Sequence, residues 1–310
     1  MSMSLFPVPS SKKCTIFSRM PECFYRDGDS DWVRANKHGQ QIASFIEGPA
    51  FDRNGELYVT DIPYGRIFKI DQQGTWSLLT EYNGWPNGLA FHRDGRLFIA
   101  DYRQGILALN PSSPDVLPVL THIRSESFKG VNDLFFDEYG RLYFTDQGQT
   151  GMQDPTGRVY RFDPEENRAE CLLSNGPSPN GLLLDHDGKA LLVAMTRGNA
   201  VWRLPVTEHG PSTKVGIFTA MAGGISGADG MGLDADGNVY VCDAGHGCVW
   251  IFSRYGVPLF RYDSCTDGRT LTNIAFGGQD NATAFVTDSS TGTIQQFPAL
   301  APGRRLFSHG

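Results

Sequence analysis

The sequence predicts an all-β fold, a six-bladed β-propeller with four-stranded antiparallel blades, and three observations predict it. A unit first met at residues 47–61, an apolar strand, an Asx/Gly turn and a second strand ending in aspartate, is written six times. Its opening polar residue recurs as Glu47, Asn87, Asn132, Asn180, Asp229 and Asn273, at steps of 40, 45, 48, 49 and 44 residues, which is the period of a propeller blade. Four strand-like runs fill each unit, and no long run of helical period interrupts them.

In chain order, residues 1–12 are polar and Pro/Ser-rich and are expected to be loose. Residues 13–18 have strand character and are expected to close the last blade, with residues 305–308 as the competing candidate. Residues 19–43 do not fit the repeat. Segment 20–26 reads as a loop and 31–36 as a helical turn with Asp31 as its cap, and this insertion is either a lid over the mouth of the ring or a surface decoration. The six repeats then occupy residues 47–300. First strands are expected at 48–52, 88–92, 133–137, 181–185, 230–234 and 274–277. Second strands are expected at 56–61, 96–101, 141–146, 189–194, 238–243 and 283–288, after turns in which Gly supplies the positive φ. Third strands fall at 66–71, 105–110, 158–163, 200–205, 248–253 and 293–298. Outer strands are visible only at 76–79, 117–120 and 214–218. Because strand two runs back antiparallel to strand one, Asp61, Asp101, Asp146, Asp243 and Asp288 return to the rim of the face where the ring residues stand. The loop 147–157 overhangs that face beside Asn132.

No linker divides the repeats, so residues 1–310 read as a single domain. Hydrophobic content of 40% and charged content of 20% describe a water-soluble globular chain. A net charge of −7 argues against a nucleic-acid partner, since phosphate binding wants a basic face. No stretch approaches 18 apolar residues and residues 1–13 lack a signal-peptide core, so no membrane association and a cytoplasmic location are expected. The six cysteines contain no Cys-x-x-Cys; Cys242 and Cys248 suit buried thiols.

One glutamate, one aspartate and four asparagines meeting at an axis form an all-oxygen cluster with two formal negative charges. Such a set calls for one divalent cation, with calcium the natural guest because it accepts six to eight oxygens in loose geometry. Magnesium, manganese and zinc stay open as alternatives. Turn chemistry alone would explain recurrent Asn-Gly but not Glu47, which has no turn preference and is costly at a crowded axis without a counter-charge. The rim aspartates either cap backbone N–H groups or ligate, and His246 reads as a rim residue.

Glu47-Gly48-Pro49, Asn132-Asp133-Leu134, Pro179-Asn180-Gly181 and Asp229-Gly230-Met231, taken as an ordered set over residues 44–300, resemble the motifs of the senescence-marker-protein/gluconolactonase (regucalcin-like) family. The resemblance implies a propeller with a central divalent cation, often calcium, and in many members the hydrolysis of lactones. It implies that Glu47, Asn180 and Asp229 ligate the metal. Asn132 would ligate or hold substrate, and Asp229 would also serve as general base. Asn87 matches a position where some members carry Asn, and joins Asn132 as a substrate-binding candidate. One departure stands out: sugar-lactone members carry Arg two residues before the Asn-Asp pair, and here that residue is Gly130, with Lys129 adjacent but not equivalent. The pocket is therefore expected to prefer a less hydroxylated lactone, with Lys129, Phe128 and Trp85, and Trp32 or Tyr64, near the mouth. A metal-polarised carbonyl and water activated by Asp229 would open the ring, and no Gly-x-Ser-x-Gly elbow supports a serine route. The competing readings are a phosphotriesterase-like or isomerising enzyme and a non-catalytic calcium-binding or interaction propeller. The sequence assigns no oligomeric state.

Overall fold

Each repeat places alternating apolar residues on both faces of a short sheet, so no sheet is stable until it is sandwiched between neighbours. In the computed structural model, which describes residues 9–221 and 227–309, the six repeats form six antiparallel sheets in that arrangement. Blade one comprises Ile46–Phe51, Leu57–Asp61, Arg66–Ile70 and Trp76–Glu81. Blade two comprises Pro86–Phe91, Leu97–Asp101, Gly105–Asn110 and Ser113–Leu120. Blade three is Val131–Phe136, Leu142–Asp146, Gly157–Asp163 and Arg168–Gly176. Blade four is Pro179–Leu184, Ala190–Met195, Ala200–Pro205 and Gly216–Ala220. Blade five is Gly227–Leu233, Val239–Ala244, Cys248–Phe252 and Pro258–Asp263. Blade six is Leu271–Gly277, Thr283–Asp288 and Thr293–Pro298, completed by Thr15–Arg19.

The core is divided into clusters between adjacent blades. Tyr58 and Ile67 of blade one meet Leu89, Leu97 and Leu107 of blade two, and the ring closes where Phe285 and Ile294 of blade six meet Ile46, Val59 and Phe68 of blade one. Asx turns make the hairpins: Asp52 Oδ1 accepts from the Asn54 and Glu56 amides at 2.8 and 2.9 Å, and Asp137 and Asp234 repeat the pattern.

The closing strand is N-terminal, as expected: Thr15 pairs with Gln296 and Arg19 with Thr293, antiparallel. The competing segment ends in a 3-10 turn, Phe307–His309, whose Phe307 packs on His92 and Phe136. Three expectations need correction. Residues 10–12 are not loose; Ser10–Lys13 pairs parallel to Pro258–Asp263 as a fifth strand of blade five, while residues 1–8 lie outside the described residues. The helix Asp31–Asn36 is capped by Ser30, not Asp31: Ser30 has extended backbone and its Oγ accepts from Val33 N at 3.3 Å. Strands Arg168–Gly176 and Pro258–Asp263 escaped notice because half-exposed strands far from the axis carry little alternation.

The first strands begin one or two residues before the ring residue, and all six carry a register shift just after it. The shifts fall between Glu47 and Ala50, Pro86 and Leu89, Val131 and Leu134, Pro179 and Leu182, Ala228 and Met231, and Leu271 and Ile274. A bulge bends the strand and re-aims its side chains. Six bulges at one level turn six polar side chains toward the axis. No helix among the described residues is long and apolar enough to cross a membrane.

A chain begun at Met20 loses both N-terminal strands and exposes the edge of Thr293–Pro298. Its Tm, read by circular dichroism, should fall by roughly 10 °C or more; an unchanged Tm would show that closure contributes little.

Candidate active site

Five ring residues, Glu47, Asn87, Asn132, Asn180 and Asp229, line the floor of one pocket of about 530 Å³, and each is buried. The sixth, Asn273, lies below them: its Nδ2 donates to Glu47 Oε2 at 3.0 Å and to Asp133 Oδ2 at 3.3 Å, and it borders a second cavity of about 1000 Å³ on the opposite face. That cavity is larger but is walled at the axis by Leu89, Leu134, Leu182, Met231 and Ile274, so the polar chemistry belongs to the smaller pocket.

Two glycines make the crowding possible. A Cβ at Gly88 would stand 2.3 Å from Asp133 Oδ1, and one at Gly230 would stand 2.2 Å from Asn273 Oδ1. The space of the missing side chain is filled by the neighbouring blade's polar group. Hydroxyls fix the ring backbone from outside: Thr60 Oγ1 donates to Asn87 O at 2.9 Å, Thr145 Oγ1 to Asn180 O at 2.8 Å and Ser289 Oγ to Ile46 O at 2.6 Å.

The electrostatics are those of acids without counter-charges. Burial pushes the Glu47 carboxyl above its ordinary value, against hydrogen bonds from the Gly48 amide and Asn273. Burial, then Glu47 and Asp133, push Asp229 well up, while Lys37 and a hydrogen bond from Asn180 work the other way. Asp133 keeps part of its surface on the cavity beneath the ring, yet burial, with Glu47 beside it, pushes its carboxyl up to about 7. Among the described residues none of the three forms an ion pair with a basic side chain, and three acids do not by themselves close into a ligand cluster. Amide oxygens of Asn132 and Asn180 complete an all-oxygen donor set that fits a hard divalent cation.

Other expected residues fall elsewhere. Lys129 does not line the pocket; its ammonium donates to Thr156 Oγ1 at the exposed edge. Phe128 packs into blade three, 5.3 Å from the Phe144 ring and 5.8 Å from Tyr160, because its side chain follows the apolar face of that blade. Trp85 stands behind the wall, 6.1 Å from Tyr102, and Tyr64 donates its hydroxyl to Ile42 O at 2.8 Å. The pocket's aromatics are Trp32, Phe45 and Tyr102. The rim aspartates serve the backbone and neighbouring side chains: Asp61 accepts from Phe45 N and Arg66, Asp101 from the Arg103 and Gln104 amides, and Asp146 from Gly130 N and Arg158. His246 contacts Asp243 at 3.1 Å and stays outside the pocket.

The insertion overlies the mouth. Trp32, Asn36 and Lys37 line the pocket, and Gln149, from the overhanging loop, donates to Asn36 Oδ1 at 2.7 Å and to the Tyr102 hydroxyl at 3.1 Å. Tyr102 also explains Gly130, since a Cβ there would lie 2.5 Å from its ring. An aromatic ring thus occupies the place toward which a side chain at position 130 would point. Sequence reasoning passed over Asp133, Tyr102 and Lys37. Asp133 had a signal, as the one acid among the residues that follow the six ring positions; Lys37 had none, because the insertion has no counterpart in the repeats.

Residues 45–290 match the family described as SMP-30/Gluconolactonase/LRE-like region. The chain belongs to this family. Lactonase drp35 of Staphylococcus epidermidis is 31% identical over 242 residues, covering 74% of this chain and 71% of that protein. Two proteins of known structure share the fold at 20% identity. A gluconolactonase from Xanthomonas campestris superposes with a TM-score of 0.72 over 94% of this chain and 99% of that one. Regucalcin from Agrobacterium tumefaciens, described as a calcium-binding protein, superposes at 0.69 over 84% and 94%.

Gly130→Ala should cost about 1–3 kcal/mol by urea unfolding, because its methyl meets the Tyr102 ring. Adding Tyr102→Ala should return part of that loss as a favourable coupling; strict additivity of the two changes would refute the contact.

Proposed function

We propose that this family member is a divalent-cation-dependent lactonase, with calcium as the first choice, that opens a lactone or related cyclic ester carrying few hydroxyl groups. The observation that carries this reading is the convergence of Glu47, Asn132, Asn180 and Asp229 on the floor of one pocket, with their acids desolvated and unpaired. The family's lactonases support the reaction class, and regucalcin's description supports calcium. Tyr102 over Gly130 supports a flat, less hydroxylated substrate, since an apolar face stands where sugar-lactone members place a guanidinium.

Glu47, Asn180 and Asp229 would hold the ion, with Asn132 completing the set or turning its amide to the substrate. When bound, the cation offsets the buried negative charge and polarises the ester carbonyl as a Lewis acid. Asp229 takes the proton of the attacking water, whose oxygen bonds to the carbonyl carbon. The ring C–O bond then breaks, and the departing alkoxide recovers that proton, giving a hydroxy acid. The hydrogen bond from Asn180 holds the Asp229 carboxylate in place for both transfers. Asn87 and Asn132 offer amide N–H groups to the substrate, and Trp32 and Tyr102 wall it from solvent.

Chelation should abolish the opening of a lactone panel, and added calcium should restore it. Calcium at a hundred times its Kd should also stabilise the fold by about 2.7 kcal/mol in a thermal melt. Asp229→Asn should lower kcat by roughly 10²–10⁴-fold while the protein still melts cooperatively; full turnover would reject Asp229 as the base. Glu47→Gln should weaken calcium affinity by roughly tenfold or more in calorimetry, and unaltered affinity would remove it from the ligand set. A propeller that binds calcium yet opens no lactone would be an interaction module.

A further inference from the structure

Lys37 enters the pocket from the insertion, which the repeats do not explain. Its amide closes the helix Asp31–Asn36 by donating to Val33 O at 2.8 Å, and that helix is anchored by Trp32 and Val33 packed on Ile62. The ammonium stands over two ring faces, 4.7 Å from the Phe45 centroid and 5.7 Å from Trp32. Ring faces hold a cation but accept none of its three N–H groups in the ordinary way. Among the described residues the Lys37 ammonium has no hydrogen-bond or ion-pair partner, and the same is true of the Arg197 guanidinium, which lines the same pocket from the turn Thr196–Gly198. Burial presses the Lys37 pKa below its ordinary value, Asp229 opposes that shift, and Arg197 adds to it.

Two unpaired cations facing one pocket are unfavourable unless an anion lies between them. The protein's own acids do not supply it, because Glu47, Asp133 and Asp229 lie on or beneath the floor. With a dication held there, three carboxylates face four positive charges, leaving one uncompensated at the mouth. We propose that Lys37 and Arg197 determine specificity by binding a carboxylate on the substrate, separate from the ester carbonyl, so that the preferred substrate is a lactone carrying a free acid group. This rests on the ring being the ester-opening centre. One uncompensated charge suits a monoanionic carboxylate better than a phosphate dianion, and about 530 Å³ suits a small molecule.

The test compares γ-carboxy-γ-butyrolactone with its neutral isostere γ-hydroxymethyl-γ-butyrolactone on the calcium-loaded protein. The wild type should favour the acid in kcat/KM by roughly tenfold, and the preference should shrink as salt is raised. Lys37→Met, which keeps the apolar stem, and Arg197→Met, at an exposed position, should each reduce that ratio severalfold, whereas Lys37→Arg should keep it. Calorimetry with cyclopentanecarboxylate and cyclopentylmethanol gives a readout independent of turnover: the acid should bind more tightly, and Lys37→Met should remove the difference. A wild type indifferent to charge, or a ratio unmoved in both methionine variants, overturns the proposal while leaving the lactonase reading intact. If neither lactone opens but cyclopentanecarboxylate binding depends on Lys37, the anion site stands and the lactonase reading falls.

Discussion

Three carboxylates are drawn away from bulk water where six sheets meet, and the rest of the molecule is arranged to keep them there. Desolvating a charge without pairing it costs several kcal/mol, and neighbouring like charges add to the cost. The stabilisation comes from elsewhere: apolar clusters between blades hold the sheets together, and the bulged inner strands leave the polar side chains no other direction. An apolar axis would have served stability better. Raised carboxyl pKa values at Glu47, Asp133 and Asp229 are the mark of that unfavourable arrangement, which a hard cation would relieve.

Much of this was legible in the sequence because it is repeated. The spacing of the six ring positions gave the blade count, and the antiparallel hairpin placed the rim aspartates on the same face as the ring. What was not legible depended on contacts between repeats or outside them. Asn273 occupies an equivalent place in its unit, yet it drops below the floor because Gly230 leaves a gap that it fills. Phe128 and Trp85 read as mouth residues from their proximity to Asn132 and Asn87, but the apolar cluster of blade three takes up the Phe128 ring, and Trp85 packs beside Tyr102 outside the pocket lining. A period reveals which residues are equivalent; it does not reveal which way a loop side chain turns.

The pocket accordingly has two parts of different origin. Its floor is built by the inner strands and belongs to the family pattern. Its roof is built by the insertion, the loop after Asp146 and Tyr102, joined through Gln149. On the proposed reading, floor residues bear on chemistry and roof residues on choice of substrate, so changes above need not disturb a cation held below. Gly130 and Tyr102 illustrate the separation: the Tyr102 ring fills the space beside Gly130, while Asn132, two residues further on, reaches the floor.

The double use of the N-terminal segment has a consequence for biogenesis. Ser10–Lys13 docks on blade five and Thr15–Arg19 on blade six, more than 240 positions downstream. This segment therefore has no partner until the strands of blades five and six have been made. Until then two sheet edges stand open, and contacts so distant along the chain form slowly. This clasp leaves the ring open to mispairing until blades five and six are both in place.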